Sequence, residues 1–149
     1  MSSVTEKNLN INQEFVTFSA GNQIFCVPIT HIREIRRWTS VTILPHTPSD
    51  VLGVMNLRGN VIPIIDLSQR FGLGPTETGE RNVVIIVIHG KNSIGMLVQS
   101  VSEILSLHKS EIQDTVDVPT SSHPTYVTGI ISNNKNMIRV IDLASVLDG

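Results

Sequence analysis

Few side chains in this sequence could do chemistry, and none of them falls into a recognisable catalytic or metal-binding spacing. No two of the histidines are four residues apart, as they would be on one face of a zinc-binding helix; they are His31, His46, His89, His108 and His123. The one cysteine, Cys26, lies in an apolar stretch without a neighbouring basic residue, which favours a core position over a nucleophile. We therefore predict no metal site and no cofactor; enzymatic activity stays open on spacing alone, because active-site residues can converge from distant segments.

Two aspartates, Asp66 and Asp142, could together supply the paired carboxylates that acid–base catalysis uses. Each of them directly precedes a short stretch whose apolar residues follow the i, i+4 spacing of a helix face. A carboxylate in that position accepts hydrogen bonds from the free N–H groups of the first helical turn. We predict that both aspartates are helix caps.

One predicted turn carries residues that a turn does not require. The stretch Met55–Asn60 contains Asn56, Leu57 and Arg58, followed by Gly59, whose tolerance of positive φ suits a chain reversal. Leucine beside arginine is typical of protein interfaces, where arginine is enriched. Two interpretations stay open: Leu57 and Arg58 both face a partner, or Arg58 is solvated while Leu57 is buried.

The elements that must hold these residues are mainly β-strands. The 149 residues include 19 Ile, 17 Val and 12 Thr but only two Ala, and β-branched side chains suit strands better than helices. Charged residues make up 16%, below the roughly 25% of an average soluble domain. The composition predicts an all-β fold with short helices and argues against a helical bundle.

The composition also disfavours several function classes. A net charge of −2 argues against the basic surface that a nucleic-acid backbone needs, so we predict no nucleic-acid binding. The longest apolar run, Val83–Ile88, is far shorter than the roughly 18 residues of a membrane span, so we predict no insertion into a membrane. A single cysteine allows no internal disulfide, as expected for a cytoplasmic protein.

The two halves of the sequence resemble each other. With an offset of 69 residues, Glu34 matches Glu103; with an offset of 76, residues 48–68 match residues 124–144 with eight identities in 21 positions. The additional residues of the second half are assigned to the loop at 114–124. We interpret the similarity as an internal pseudo-repeat and predict two small β-barrels that pack together, since each half alone has only a small core.

The predicted boundaries follow from this repeat. Residues 1–13 are expected to form a flexible N-terminal tail, and residues 14–149 a single domain. Within the domain, lobe one spans about 14–72 and lobe two about 81–149, joined by a Gly- and Thr-rich linker at about 73–80.

The stretch Val54–Leu67 resembles the most characteristic segment of the CheW family, the adaptor proteins of bacterial chemotaxis arrays. It contains the turn Asn-Leu-Arg-Gly, followed by Pro63 and by Asp66-Leu67. Further agreement with the family is found at Gln13-Glu14-Phe15, Glu34-Ile35-Arg36, Thr47-Pro48 ahead of Gly53, and Val101–Leu107. The resemblance covers about residues 13–148.

This resemblance implies two SH3-like five-stranded β-barrel lobes and a function without chemistry of its own. A CheW-like protein is expected to couple the cytoplasmic tip of chemoreceptors (methyl-accepting chemotaxis proteins) to the CheW-like regulatory domain of the histidine kinase CheA. Coupled binding would let the state of the receptor bias the kinase. We expect a cytoplasmic protein, monomeric when free, that is recruited to membrane-associated receptor arrays.

The resemblance also carries partner-binding positions onto this sequence. Arg58, within the turn formed by Asn56, Leu57 and Gly59, matches the binding arginine of the family. The other matched positions are Ile32, Gly53, Val83, Gly95, Val101 and Ile104. Since Gly53 corresponds to another glycine in the repeat, we expect backbone geometry to matter there.

An alternative function from another class remains open on the residues alone. A small β-barrel could bind a ligand or act as an enzyme on an unknown substrate. Such a protein requires polar groups that converge in a pocket, and the structure decides whether one exists.

Overall fold

The structure is a computed structural model that describes residues 12–114, 126–133 and 136–148. The strands in this part are β1 (Gln13–Ala20), β2 (Gln23–Pro28), β3 (Ile32–Arg37), β4 (Val51–Leu57), β5 (Asn60–Asp66), β6 (Val83–His89), β7 (Asn92–Val98), β8 (Ser100–Leu107), β9 (Gln113–Asp114), β10 (Val127–Asn133) and β11 (Asn136–Ile141). The helices are α1 (Leu67–Arg70) and α2 (Leu143–Asp148), with 3-10 turns at Ile29–His31 and Lys109–Glu111. Neither helix of the described part has the length and apolarity needed to cross a membrane.

The strands form two sheets. Sheet 1 has the order β8-β1-β2-β11-β10-β9, and sheet 2 has the order β3-β6-β7-β5-β4. Pairing is antiparallel except where β2 meets β11 and where β5 meets β7. The predicted all-β fold with two packed lobes is confirmed, but the barrels are not closed, because no strand pair in residues 12–114, 126–133 and 136–148 joins the two outer strands of either sheet.

The strand register confirms the pseudo-repeat. Phe18 of β1 pairs with Val101 of β8, and at the matching positions Val87 of β6 pairs with Ile32 of β3. A bulge follows at the same point in both pairs, and β4–β5 and β10–β11 also share a bulge position. We call two residues twins when they hold the same position in the two repeats.

The predicted lobe boundaries, 14–72 and 81–149, do not describe the two sheets. The hairpin β1–β2 lies in sheet 1 beside strands from the second half, whereas β6–β7 lies in sheet 2 beside strands from the first half. The first hairpin of each sequence half therefore lies in the sheet that contains the later strands of the other half. The hydrophobic alternation of a hairpin is the same whichever neighbour it pairs with, so the sequence pattern does not distinguish the two arrangements.

Two predicted segments lie partly outside the described residues. Gln13, assigned to the tail, is the first residue of β1 and pairs with Leu107. Residues 1–11 of the predicted tail lie outside the described residues. The same holds for residues 115–124 of the predicted loop.

The core has three parts. Each sheet encloses a small cluster: Phe15, Cys26, Leu107, Ile131, Ile138 and Val140 in sheet 1, and Leu57, Ile62, Ile64, Val84, Ile86 and Leu97 in sheet 2. A larger cluster, including Phe18, Phe25, Leu67, Ile85, Met96 and Val146, lies between the sheets. The exchanged hairpins contribute to both kinds of cluster, since their strands are buried on both faces.

Cys26 is a core residue, as predicted. Its side chain is fully buried, and this burial raises the pKa of the thiol to about 12. Because the thiolate is the reactive form, the thiol is inert at neutral pH in the folded protein.

The two aspartates predicted to cap helices differ in the groups that donate hydrogen bonds to their carboxylates. Asp66 is buried, and its carboxylate accepts hydrogen bonds from the backbone N–H of Gln69 at the start of α1 (3.4 Å) and of Thr76 in the linker (2.8 Å). Its twin Asp142 is partly exposed and accepts a hydrogen bond from the Ser145 hydroxyl (2.8 Å). The capping prediction is confirmed at Asp66, which also fixes the linker.

We expect Asp66→Ala to lower the free energy of unfolding by about 2–3 kcal/mol, because a helix cap is lost and buried N–H groups lose their acceptor. Asp142→Ala is the matched control, with an expected loss of about 1 kcal/mol or less. Urea denaturation followed by circular dichroism measures both. Equal losses for the two variants would show that the linker contact adds nothing.

Candidate interaction surfaces

An apolar groove of about 500 Å³ lies between β3 of sheet 2 and β8 of sheet 1. Its lining residues are Val16, Ile29, Ile32, Arg33, Glu34, Ile35, Val101, Ser102, Glu103 and Ile104. We call this set the apolar groove. It brings together three of the residues predicted to bind partners, Ile32, Val101 and Ile104.

The two walls of the apolar groove are twins. Residues 32–35 of β3 form one wall and residues 101–104 of β8 form the other, at matching repeat positions. Ile104 is 56% exposed, and its twin Ile35 is 41% exposed. Neighbouring exposed isoleucines on both walls give the groove an apolar surface that water contacts, which is typical of a docking site.

Ile35 is a residue that the sequence reasoning missed. Ile35 lies within the family-like stretch Glu34-Ile35-Arg36, but the resemblance does not place it among the partner-binding residues. The signal was available in the repeat, because the twin position is Ile104. Val83, which was predicted, borders an adjoining depression of about 420 Å³ that Val101 also lines.

The turn between β4 and β5 presents Arg58 to solvent. Asn56 Oδ1 accepts a hydrogen bond from the backbone N–H of Gly59 (2.9 Å), which closes the turn. Arg58 has a φ of +53° and Gly59 a φ of +86°, so both lie in the left-handed region. This backbone lifts the Arg58 side chain away from the sheet, where it is 69% exposed.

Arg58 forms an ion pair with Glu34, which lines the apolar groove. Its Nη1 donates to Oε1 of Glu34 on β3 at 2.7 Å, and Arg36 contacts the same carboxylate at 3.3 Å. The hydrogen bond from Arg58 lowers the pKa of the Glu34 carboxyl, and Glu34 in turn raises the pKa of Arg58. Both groups therefore stay charged at neutral pH, and the turn and the groove form one continuous surface.

Leu57 is buried, so the interpretation in which it faces a partner is wrong. It is only 8% exposed and packs in the sheet 2 cluster with Ile62 and Leu97, next to Trp38. Since Leu57 is buried and Arg58 is 69% exposed, only Arg58 is available for contact.

Gly53 and Gly95 have structural reasons to be glycine. A Cβ on Gly53 would lie 2.2 Å from the backbone oxygen of Thr42, and its φ of +152° suits only glycine. A Cβ on Gly95 would lie 2.4 Å from the Cδ1 atom of Ile64 and 2.8 Å from Val84 Cγ1. Both glycines are buried, so neither is exposed for direct contact with another molecule.

The described residues offer no obvious centre for chemistry. In the part of the chain that the structure describes, no three His, Cys, Asp or Glu side chains cluster as metal ligands would. His89 pairs with Asp148 at 2.8 Å, and His108 caps the 3-10 turn Lys109–Glu111.

Comparison with known proteins gives a consistent result. Residues 14–149 match the family described as CheW-like domain. The chain is 40% identical over 141 residues to a probable chemotaxis protein CheW of Rhizobium etli, with 94% of this chain and 91% of the relative covered. It is 38% identical over 146 residues to the chemotaxis protein CheW of Rhizobium meliloti, with 98% and 94% covered.

A solved structure agrees with the fold. The crystal structure of the scaffolding protein TtCheW from Thermoanaerobacter tengcongensis matches with a TM-score of 0.84 at 29% identity, covering 93% of this chain and 94% of that one.

Proposed function

The chain belongs to the CheW family of chemotaxis coupling and scaffold proteins, and from this premise we propose that it bridges chemoreceptors to a CheA-type histidine kinase. In this proposal the protein acts in the cytoplasm and is recruited to receptor arrays at the membrane. The observation that carries the proposal is the apolar groove with the Arg58–Glu34 pair at its rim.

The apolar groove suits an amphipathic helix of a partner. A helix laid into a groove anchors through apolar side chains on one face, and here Ile35 and Ile104 provide the apolar contact from opposite walls. Polar groups at the rim then fix orientation, and Arg58 supplies an exposed guanidinium. The proposed binding residues on the surface are Ile32, Arg58, Val83, Val101 and Ile104, together with Ile35.

The other predicted site residues have a supporting role in this proposal. Asn56 and Gly59 shape the turn that presents Arg58, and Leu57 anchors that turn in the sheet 2 core. Gly53 allows the close contact of β4 with Thr42, and Gly95 allows β7 to pack closely against Ile64 and Val84.

We expect Arg58→Glu to abolish recovery of receptor or kinase in a pull-down while leaving the melting temperature almost unchanged. The side chain is exposed, and a surface ion pair contributes little to folding. Lys109→Glu is the control, because Lys109 is exposed and lines neither the apolar groove nor the depression next to it. Normal binding by Arg58→Glu would show that Arg58 is not a contact residue.

A charge swap separates two roles of Arg58. The double substitution Glu34→Arg/Arg58→Glu keeps an ion pair between the two positions but exchanges their charges. If Arg58 contacts the partner, the double variant stays defective; if the pair only positions β3, binding returns.

The bridging function itself is tested by co-sedimentation with receptor-containing membranes, with and without CheA. The protein should enter the pellet and should raise the amount of CheA recovered there. Failure to pellet with receptors, at concentrations where a relative does so, would refute the proposal.

The alternative of a ligand-binding barrel or enzyme receives no support from the interior of either sheet. The two sheet clusters are filled with buried apolar side chains. The depressions found in the described part lie at the surface, between strands and at turns.

A further inference from the structure

A second groove, of about 600 Å³, lies at the end of sheet 2 where the β4–β5 turn, the β6–β7 turn and the beginning of β3 meet. Four of its lining residues carry or can carry positive charge: Arg33, Arg58, His89 and Lys91. We call it the basic groove. No acidic side chain is among its lining residues.

The fold does not require these basic residues. The twin of Arg33 is Ser102, the twin of His89 is Ala20, and the twin of Lys91 is Asn22. Arg58 corresponds in sequence to Asn134. Sheet 1 therefore builds the same strand arrangement with neutral residues at the three described positions, Ser102, Ala20 and Asn22. Its one basic residue at a matching position, Arg139 in place of Pro63, lies with its guanidinium 6.0 Å from the centroid of the Phe25 ring.

Two of the four basic groups form no ion pair with the residues that the structure describes. Arg58 is paired with Glu34, and His89 with Asp148. Arg33 lies at the bulge of β3 and donates from Nη1 to the Ser93 hydroxyl at 2.7 Å, a neutral partner that fixes its direction without cancelling its charge. Lys91, in the β6–β7 turn, makes no ion pair with any residue in the described ranges and is exposed.

We propose that the basic groove binds an acidic peptide segment, in which Asp or Glu side chains alternate with apolar ones. The carboxylates would contact Arg33 and Lys91, whose positive charge is not paired with any acidic side chain in the described ranges. The apolar side chains would cover Val61, which is 66% exposed, and the neighbouring Pro63 and Ile94. Apolar lining and an overall charge of −2 favour such a peptide over a nucleic acid, whose backbone needs a broad basic surface.

This inference goes beyond the bridging function, because Lys91 lies outside the apolar groove and the bridging proposal makes no use of it. Arg33 borders both grooves, so Lys91 is the residue that separates the two proposals.

The test uses the full chain and a fluorescein-labelled peptide of sequence Glu-Leu-Glu-Leu-Glu-Leu, with binding followed by fluorescence anisotropy. We expect saturable binding that Lys91→Asn and Arg33→Ser each weaken at least about fivefold. Both substitutions introduce the twin residue, which the other lobe already accepts, and circular dichroism melting verifies that the variants are folded. Lys109→Asn removes an exposed lysine outside the groove and should change the affinity less than about twofold.

Three outcomes would overturn the proposal. One is no saturable binding by the wild-type protein at millimolar peptide. Another is equal weakening by Lys109→Asn and Lys91→Asn, which would indicate a nonspecific charge effect. The third is tighter binding of a single-stranded RNA oligomer or of inorganic pyrophosphate than of the peptide, with the same dependence on Lys91, since the groove would then recognise phosphate.

Discussion

Gly53→Ala is expected to lower the free energy of unfolding by at least about 3 kcal/mol, a large share of the stability of a domain of this size. At φ +152° an alanine is strained, and its Cβ would lie 2.2 Å from the Thr42 oxygen. That oxygen accepts a hydrogen bond from the backbone N–H of Val54 (2.9 Å), and Thr42 N–H donates to the Val54 oxygen (2.8 Å). The clash therefore disrupts the pair of backbone hydrogen bonds that joins Val54 of β4 to Thr42 in the loop before it.

The twin glycine provides the control for this prediction. A Cβ on Gly129 would meet the Cγ2 atom of Ile112 at 2.7 Å, and the nearest backbone atom, the oxygen of Gln113, is 3.5 Å away. A side-chain methyl can move where a backbone oxygen cannot, so Gly129→Ala should cost about 1–2 kcal/mol. Thermal and urea unfolding measure both variants. Equal losses would mean that the backbone contact at Thr42 is not what requires glycine at position 53.

Ile104→Glu is expected to weaken partner binding at least about 30-fold with little change in the melting temperature. The side chain is 56% exposed in the free protein, so the substitution removes little core packing. In the proposed complex, the substitution would place an unpaired carboxylate against the apolar face of the partner helix. A buried unpaired charge is strongly unfavourable. Titration with a receptor cytoplasmic fragment and with the CheA regulatory domain measures the two affinities separately.

Met137→Glu is the matched control for Ile104→Glu. Met137 is 54% exposed, so both variants introduce one carboxylate at an apolar surface position, but Met137 lies outside the apolar groove. Ile35→Glu tests the opposite wall. If Ile104→Glu binds both partners normally, the groove between β3 and β8 is not the binding site; if only one partner is lost, the groove belongs to that partner.

Much of the fold was predictable because the repeat carries long-range information. Identical residues at matched positions, such as Asp66 and Asp142, predicted equivalent elements, and the strand register confirms this equivalence. The pattern did not predict which half each hairpin joins, because β2 has the same alternation whether it lies beside β5 or β11. The choice depends on packing between distant segments, which is not a property of any local stretch.

The candidate site was predicted unevenly for a similar reason. Arg58 is exposed whatever the fold, since the turn places it beyond the strand end. The exposure of Leu57 depends on which face of β4 its side chain lies on. A shift of one residue in the strand register would move the side chain from the inside of sheet 2 to the outside. The partner of Arg58, Glu34, is 24 residues away on an outer strand of the same sheet, and a single sequence has no signal for that pairing.

The hairpin exchange also bears on how the chain is made. Ile24 of β2 pairs with Ile138 of β11, so the middle of sheet 1 joins two segments that are far apart in the sequence. During synthesis, the first hairpin emerges long before β11 exists to cover its edge, and contacts between such distant residues make folding slow. Neither sheet can be completed by residues 12–70 alone, and a fragment of those residues would present the edge of β2 to a second copy of itself.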